Sequence, residues 1–133
     1  MEIKYCTDED IINDVSYFVD ENDMLEWFES IGELSGNTYA EQVYDMCNLA
    51  TAWMINKFTM FDMLEDITIH EGVFGMMGNH TWLQVGDVII DPTLQQFLLG
   101  ADRLSVIEAD WKEYHSCKQY EPEEWLNTSP NLH

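Results

Sequence analysis

The order of hydrophobic patterns along the chain predicts an α+β domain: N-terminal helices and a central cysteine-bearing helix packed on a small antiparallel sheet. Two observations carry this. Apolar residues recur at helical spacing through the first part of the sequence, and two short runs of β-branched and aromatic residues later flank Gly86-Asp87, which reads as the two-residue turn of a β-hairpin. At 133 residues, 46% of them hydrophobic and 13% aromatic, the chain is one domain with enough apolar material for a core. It divides into N-terminal helices over 1–39, the main α+β unit over 40–107, and an acidic C-terminal segment over 108–133.

Thr7 is placed to cap the first helix, with Asp8, Glu9 and Asp10 in its opening turn, where carboxylates complement the positive end of the helix dipole. Ile11, Ile12, Val15, Phe18 and Val19 then repeat at helical intervals. Asn22 is the expected cap of a second helix that buries Met24, Leu25, Trp27, Phe28 and Ile31 and stops before the turn signal Gly36-Asn37. Residues 38–58 read as a third helical segment, with Val43, Met46, Cys47, Ala50, Trp53 and Met54 along one face, so that Cys47 falls on the buried side. A connecting piece from Phe58 to Asp66 leads to a strand over Ile67–Phe74, broken at Gly72. Gly75–Asn79 is a flexible loop into the hairpin. Leu94–Leu99 is a short apolar piece ended by Gly100, and Leu104–Ile107 is one more strand. The last segment combines a candidate helix through Trp111 and Tyr114 with a loosely packed acidic tail containing Pro122 and Pro130.

The hairpin carries the chemistry. A turn centred on Gly86-Asp87 sets Val85 opposite Val88, Trp82 opposite Asp91 and His80 opposite Thr93. Side chains alternate with period two, so His80, Trp82 and Gln84 share a face with Ile89, Asp91 and Thr93, while Leu83, Val85, Val88 and Ile90 point away. His80 and Asp91 become diagonal neighbours within side-chain reach. A carboxylate there can accept a proton from one imidazole nitrogen, fix the tautomer, and leave the other nitrogen free as a base. Cys47, in another segment, is the candidate nucleophile for that base, and a thiol attacks carbonyl carbon only as thiolate.

Three motifs extend this constellation: Tyr44-Asp-Met-Cys47-Asn-Leu-Ala50, Gly78-Asn-His80-Thr-Trp82-Leu-Gln-Val85, and Val88-Ile-Ile-Asp91-Pro92-Thr93 continued by Gln95-Gln96-Phe97. In this order they resemble the transglutaminase-like fold, a branch of the papain-like thiol enzymes, over roughly residues 40–97. The resemblance implies Cys47 as nucleophile, His80 as general base and acid, and Asp91 as the residue orienting His80. It also implies acyl transfer from an amide: peptide hydrolysis, deamidation of glutamine, cross-linking to amines, or acetyl transfer. Gln42 resembles the upstream glutamine of papain-like enzymes and is the candidate oxyanion donor, with the backbone N–H of Cys47 as a second. Trp82 is expected as core or pocket wall, not as a catalytic residue. Asp45-Met46 stand where the family commonly has small residues. A helix beginning at residue 40 would leave Cys47 two turns inside it, whereas the chemistry asks for a helix starting near Asp45.

Charge bounds the partners. The 26 acids and 5 bases give a net charge of −21, which disfavours direct contact with nucleic-acid phosphates or an anionic membrane. A basic protein or peptide substrate is the expected partner. No apolar run reaches the roughly 18 residues of a membrane span, and the N-terminus has no signal-peptide pattern. A cytosolic protein with reduced thiols is therefore expected, because Cys6, Cys47 and Cys117 form neither a disulfide framework nor a zinc pattern. His70, His80 and His115 lack metal-ligand spacing, and no glycine-rich phosphate cradle precedes a helix, so neither metal nor cofactor is expected. The competing reading is a non-catalytic acidic binding protein on a degenerate enzyme scaffold. Such a protein would be an inhibitor or nucleic-acid mimic of the kind phages use against host defences.

Overall fold

The computed structural model describes residues 2–60 and 65–128. Five helices, α1 (Glu9–Phe18), α2 (Glu21–Ser30), α3 (Tyr39–Gln42), α4 (Cys47–Met60) and α5 (Pro122–Thr128), accompany five strands: β1 (Ile67–Phe74), β2 (Gly78–Val85), β3 (Val88–Asp91), β4 (Ser105–Glu108) and β5 (Tyr114–Tyr120). The strands form one sheet in the order β4-β3-β2-β1-β5, antiparallel at every step. The class is α+β. The N-terminal segment lengthens the β4 edge: Cys6 N–H donates to Val106 O at 2.8 Å and Glu108 N–H to Lys4 O at 2.9 Å.

Both N-terminal helices start where a carboxylate can reach back to free N–H groups. For α1 the cap is Asp8 and not Thr7, its side chain accepting from Asp10 N and Ile11 N. Asp20, not Asn22, caps α2, accepting from Asn22 N at 2.9 Å, which places Asn22 inside the helix. In both cases a competing cap was available nearby in sequence, and extended backbone at the aspartate decided between them. The segment over 38–58 is two helices. A capping box between Thr38 and Glu41 opens α3, which stops at Gln42; Asp45 then takes φ +59°, and α4 begins at Cys47. Of the connecting piece expected over Phe58–Asp66, residues 58–60 finish α4 and 61–64 lie outside the described residues.

Alternation along the strands separates two apolar layers. Leu83 and Ile90 join Ile67, Ile69, Trp53, Met54 and Phe28 on the helix side of the sheet. Trp82 and Ile89 face the other way with Phe74, Ile107, Trp111 and Tyr114, and the chain over 94–111 covers them. The turn register is Val85 opposite Val88, as read from Gly86-Asp87. Gly78 and Asn79, expected in a flexible loop, already belong to β2. Among the described residues no helix is long and apolar enough to cross a membrane.

The C-terminal segment departs most from expectation. Tyr114, expected on a helix with Trp111, instead opens β5, which pairs along β1. Strand β5 lies at the sheet edge with five consecutive exposed residues, His115 to Gln119, so it lacks the alternating apolar signal that marks a half-buried strand. The tail is not loose over 122–128 either. Trp125 is fully buried, and its indole N–H donates to Glu71 Oε2 at 3.0 Å while Tyr120 O–H donates to Oε1 at 3.1 Å. Pro130 lies outside the described residues.

Gly72 is where β1 and β5 come too close for a side chain. The β1–β5 register shifts between Glu71 and Gly72, leaving Cys117 as the extra residue of a bulge, and a Cβ at Gly72 would collide with the carbonyl oxygen of His115. Gly72→Ala should therefore destabilise the fold by roughly 1–3 kcal/mol, measured by urea denaturation, as backbone is forced apart. A change below about 0.5 kcal/mol would contradict this packing.

Candidate functional site

The site starts with the break between α3 and α4. Val43 and Met46 are buried anchors on either side of it, and Asp45 bridges them in left-handed backbone, which aspartate tolerates better than most side chains. The Met46 carbonyl accepts the first helical bond, from Ala50 N–H at 2.8 Å, so Cys47 lies in the first turn of α4. There the N–H groups and the positive end of the dipole favour a negatively charged sulfur. Cys47 is half-buried on an open groove of about 450 Å³, not sealed on the apolar face of a long helix.

His80 enters the same groove from β2 with its ring wholly buried. Its Nε2 lies 2.7 Å from Asp91 Oδ2. The ladder explains why: Leu83 pairs with Ile90, so continuing one pair sets Trp82 opposite Asp91 and leaves His80 diagonal to it. Asp91 ends β3 and is saturated. Oδ2 also accepts from Tyr114 O–H at 2.7 Å, and Oδ1 accepts from Thr93 N–H at 2.9 Å and Thr93 Oγ1 at 3.0 Å.

Burial alone would raise the Asp91 carboxyl, but the charge and hydrogen bond of His80, with Tyr114 and Thr93, hold it below its ordinary value. Burial likewise opposes charge on His80. The Asp91 charge and hydrogen bond, followed by Cys47, outweigh it and raise the ring to about 9. Tyr114, pushed up by burial and then by Asp91, stays a protonated donor. The remaining ring nitrogen, Nδ1, is buried without an oxygen or nitrogen partner. Cys47 lines the groove beside the ring and favours its charged form. The contact lacks the closed geometry of a full hydrogen bond, a looseness common in unliganded nucleophile–base pairs.

The structure thus brings Cys47, His80 and Asp91 together, and it places the other two sequence candidates elsewhere. The Gln42 amide donates to Gly36 O at 3.4 Å, and Gln42 is absent from the groove lining. Cys47 itself opens α4, where the first-turn N–H groups have no intrahelical acceptor. Trp82 does not wall the groove. It is buried behind His80, between that ring at 5.8 Å and the His70 ring at 5.6 Å. The His70 ring is engaged by Thr68 Oγ1 at 2.9 Å and Ser116 Oγ at 2.8 Å. Among the described residues no group of three His, Cys, Asp or Glu side chains is arranged to hold a metal ion. Cys6 is buried in the core, while Cys117 is exposed and lines the groove.

Sequence reasoning assigned no part to Tyr114, Thr93 or Gln96. Thr93 and Gln96 stand in the motif that includes Asp91, but their partners depend on the turn that follows it. Gln96 lies in a short 3₁₀ turn, Leu94–Gln96. Its carbonyl accepts from Asp45 N–H at 3.2 Å and its amide donates to Thr93 Oγ1 at 3.1 Å. A continuous chain of bonds therefore runs from Asp91 through Thr93 and Gln96 to the left-handed residue two before Cys47. Tyr39 O–H ties α3 to the same turn by donating to Pro92 O at 2.6 Å.

Comparison with family models, with curated proteins and with solved structures finds no match.

Two measurements test the geometry. Gln96→Ala should slow alkylation of Cys47 by about tenfold or more while leaving Cys117 unchanged, because the segment before α4 loses its tie to the Asp91 turn. Equal rates would show that Gln96 does not position the thiol. Asp91→Asn should cost about 3–5 kcal/mol, since it breaks a buried charged pair. In the parent protein the His80 share of that stability is whole below the ordinary histidine value of 6.5 and is lost as pH rises through about 9. The Asp91 share is present above 3.8 and is lost as pH falls through the depressed carboxyl value. Urea melts across pH should show both losses, and Asp91→Asn should flatten them.

Proposed function

We propose that the protein is a thiol-dependent hydrolase or acyltransferase acting on an amide, with a Cys47-His80-Asp91 triad on a transglutaminase-like or papain-like scaffold. One observation carries the reading: a buried imidazole, held by a four-donor carboxylate, lines one open groove with a cysteine in the first turn of a helix.

The reactive form is the ion pair, with the proton on His80 Nδ1 as imidazolium, and the Cys47 thiolate attacks the carbonyl carbon. Negative charge moves to the carbonyl oxygen, where the N–H groups at the start of α4 stabilise it. Collapse of the tetrahedral intermediate breaks the C–N bond as His80 returns its proton to the leaving nitrogen. Water, deprotonated by His80, resolves the thioester and regenerates the thiol. Asp91 does not exchange its proton state; it orients the ring and stabilises the imidazolium. Hydrolysis is preferred over transfer to a second amine because a domain this small offers little surface for a second substrate. The net charge of −21 favours a basic protein or peptide as substrate.

The same charge supports a second reading, a non-catalytic acidic protein that occupies a basic groove on a partner. Iodoacetamide at neutral pH separates the two. Under the enzyme reading Cys47 is labelled faster than Cys6 and Cys117, and Cys47→Ala abolishes activity while partner binding persists. Under the binding reading Cys47 shows no excess reactivity, Cys47→Ala changes nothing, and added salt removes the effect. The pH profile gives an independent check. The rate of Cys47 alkylation per thiolate, and kcat/KM once a substrate is found, should change on an alkaline limb near pH 9 as the imidazolium is lost. That limb should move to lower pH in Asp91→Asn, which removes the largest interaction raising His80.

A further inference from the structure

Beside the groove that holds Cys47 and His80 lies a second open cavity of about 530 Å³, lined by Tyr44, Asp45, Met77, Asn79, Gln96 and Phe97 together with Gly78. Asp45 and Asn79 line both, so the two spaces adjoin at residues close to Cys47 and His80 in the chain. The Phe97 and His80 rings meet at right angles with centroids 5.1 Å apart, which sets the second cavity beside His80. A substrate whose carbonyl carbon reaches Cys47 can place a neighbouring group in this cavity.

The lining has a specific chemistry. Asp45 is its one charged side chain. Its backbone N–H is held by Gln96, and among the described residues no side chain donates to or pairs with its carboxylate. Tyr44 is exposed, and Phe97, with one face stacked on Phe74, is half-buried. Met77, also exposed, supplies a flexible apolar rim. Aromatic faces, an apolar rim and a free carboxylate are what a long cationic side chain uses: carbons against the walls, charge on the acid and the π face. An apolar occupant would cover the carboxylate without satisfying it, and an anionic one would be repelled.

We infer that this cavity is the subsite for an arginine or lysine side chain adjacent to the scissile amide, with Asp45 as the specificity-determining residue. The inference rests on the proposed thiol chemistry and narrows its substrate class from basic proteins in general to a cationic residue at one position.

The test needs no known substrate. Methanethiosulfonate reagents carrying a trimethylammonium-ethyl, a methyl or a sulfonatoethyl group react alike: thiolate attacks the sulfenyl sulfur, the mixed disulfide forms, and methanesulfinate leaves. Rates at Cys47 are read by peptide mass in the parent chain, Asp45→Asn, Tyr44→Ala and Glu29→Gln. Asparagine suits the control of backbone, since it also tolerates left-handed φ. Glu29 lies on α2, outside the lining of either cavity, and reports the field of the whole molecule.

The cation-over-neutral rate ratio should fall about fivefold in Asp45→Asn and to a lesser degree in Tyr44→Ala, and should hold in Glu29→Gln. The anionic reagent should gain in Asp45→Asn. A ratio that is unchanged in Asp45→Asn, or that falls equally in Glu29→Gln, overturns the subsite. Failure of the thiol chemistry itself would register separately, as a neutral-reagent rate at Cys47 no higher than at Cys117.

Discussion

A fully buried carboxylate, Asp91, is the constraint around which the site is arranged. A charge out of water is costly unless each lone pair is met, and here four donors meet it: His80, Tyr114 and two groups of Thr93. Those donors come from β2, from β5 at the far edge of the sheet, and from the turn after β3. Satisfying one anion therefore fixes the relative placement of distant pieces of chain. It also forces the character of its partners. Tyr114 must remain protonated to donate, and the His80 ring is drawn towards the charged form despite its burial.

The second constraint is the interruption in what would otherwise be one long helix. Residues 39–60 have the composition to continue as helix, and the apolar spacing of Val43, Met46, Ala50 and Trp53 encourages it. A left-handed residue at Asp45 resets the helix start to Cys47. That conformation is unfavourable for an L-residue taken alone, and the hydrogen bond from its N–H to Gln96 offsets part of the cost. Because Gln96 is itself bonded to Thr93, the same bonds that saturate Asp91 also place the start of α4. The thiol and the imidazole are thus positioned from one turn, Asp91 to Gln96, though they reside on different elements.

What the sequence disclosed and what it concealed divide along that line. The hairpin register followed from Gly86-Asp87 because turn chemistry is local, and with it came the diagonal placement of His80 and Asp91. The α+β class followed from the switch in periodicity. The break before Cys47 did not, because periodic apolar spacing is blind to a single residue of positive φ that tertiary bonds enforce. Nor did β5, whose outward residues His115 to Gln119 carry no apolar alternation; its place is set by pairing to β1 and by the glycine that lets β5 approach. Tyr114 was invisible for the same reason, since its role exists only once β5 is on the sheet. Gln42 and Trp82, which lie outside the groove lining, show the other side of this. Both are polar or aromatic residues near the motifs in sequence; local bonding turned Gln42 to Gly36, while Trp82, on the same face as His80, is packed behind that ring against His70.

The proposed chemistry asks for negative charge to appear first on sulfur and then on oxygen in a molecule that already carries −21. Surface carboxylates farther than about a Debye length, roughly 8–10 Å in physiological salt, are screened and matter little. What counts is the charge inside that radius, and there the protein has a different balance. The start of α4 contributes the positive end of a 14-residue helix, and the imidazolium of His80 is kept by a buried anion that sits behind the ring, away from the groove. Asp91 thereby converts excess acidity, hostile to the reaction in general, into a locally held proton facing Cys47. The groove itself is lined by two acids, Asp45 and Glu71, and one base, Lys118, and a substrate that brings its own cation to Asp45 would neutralise that acid as the thiol reacts. On this view the acidic composition and the thiol site are compatible because the substrate completes the charge balance of the groove.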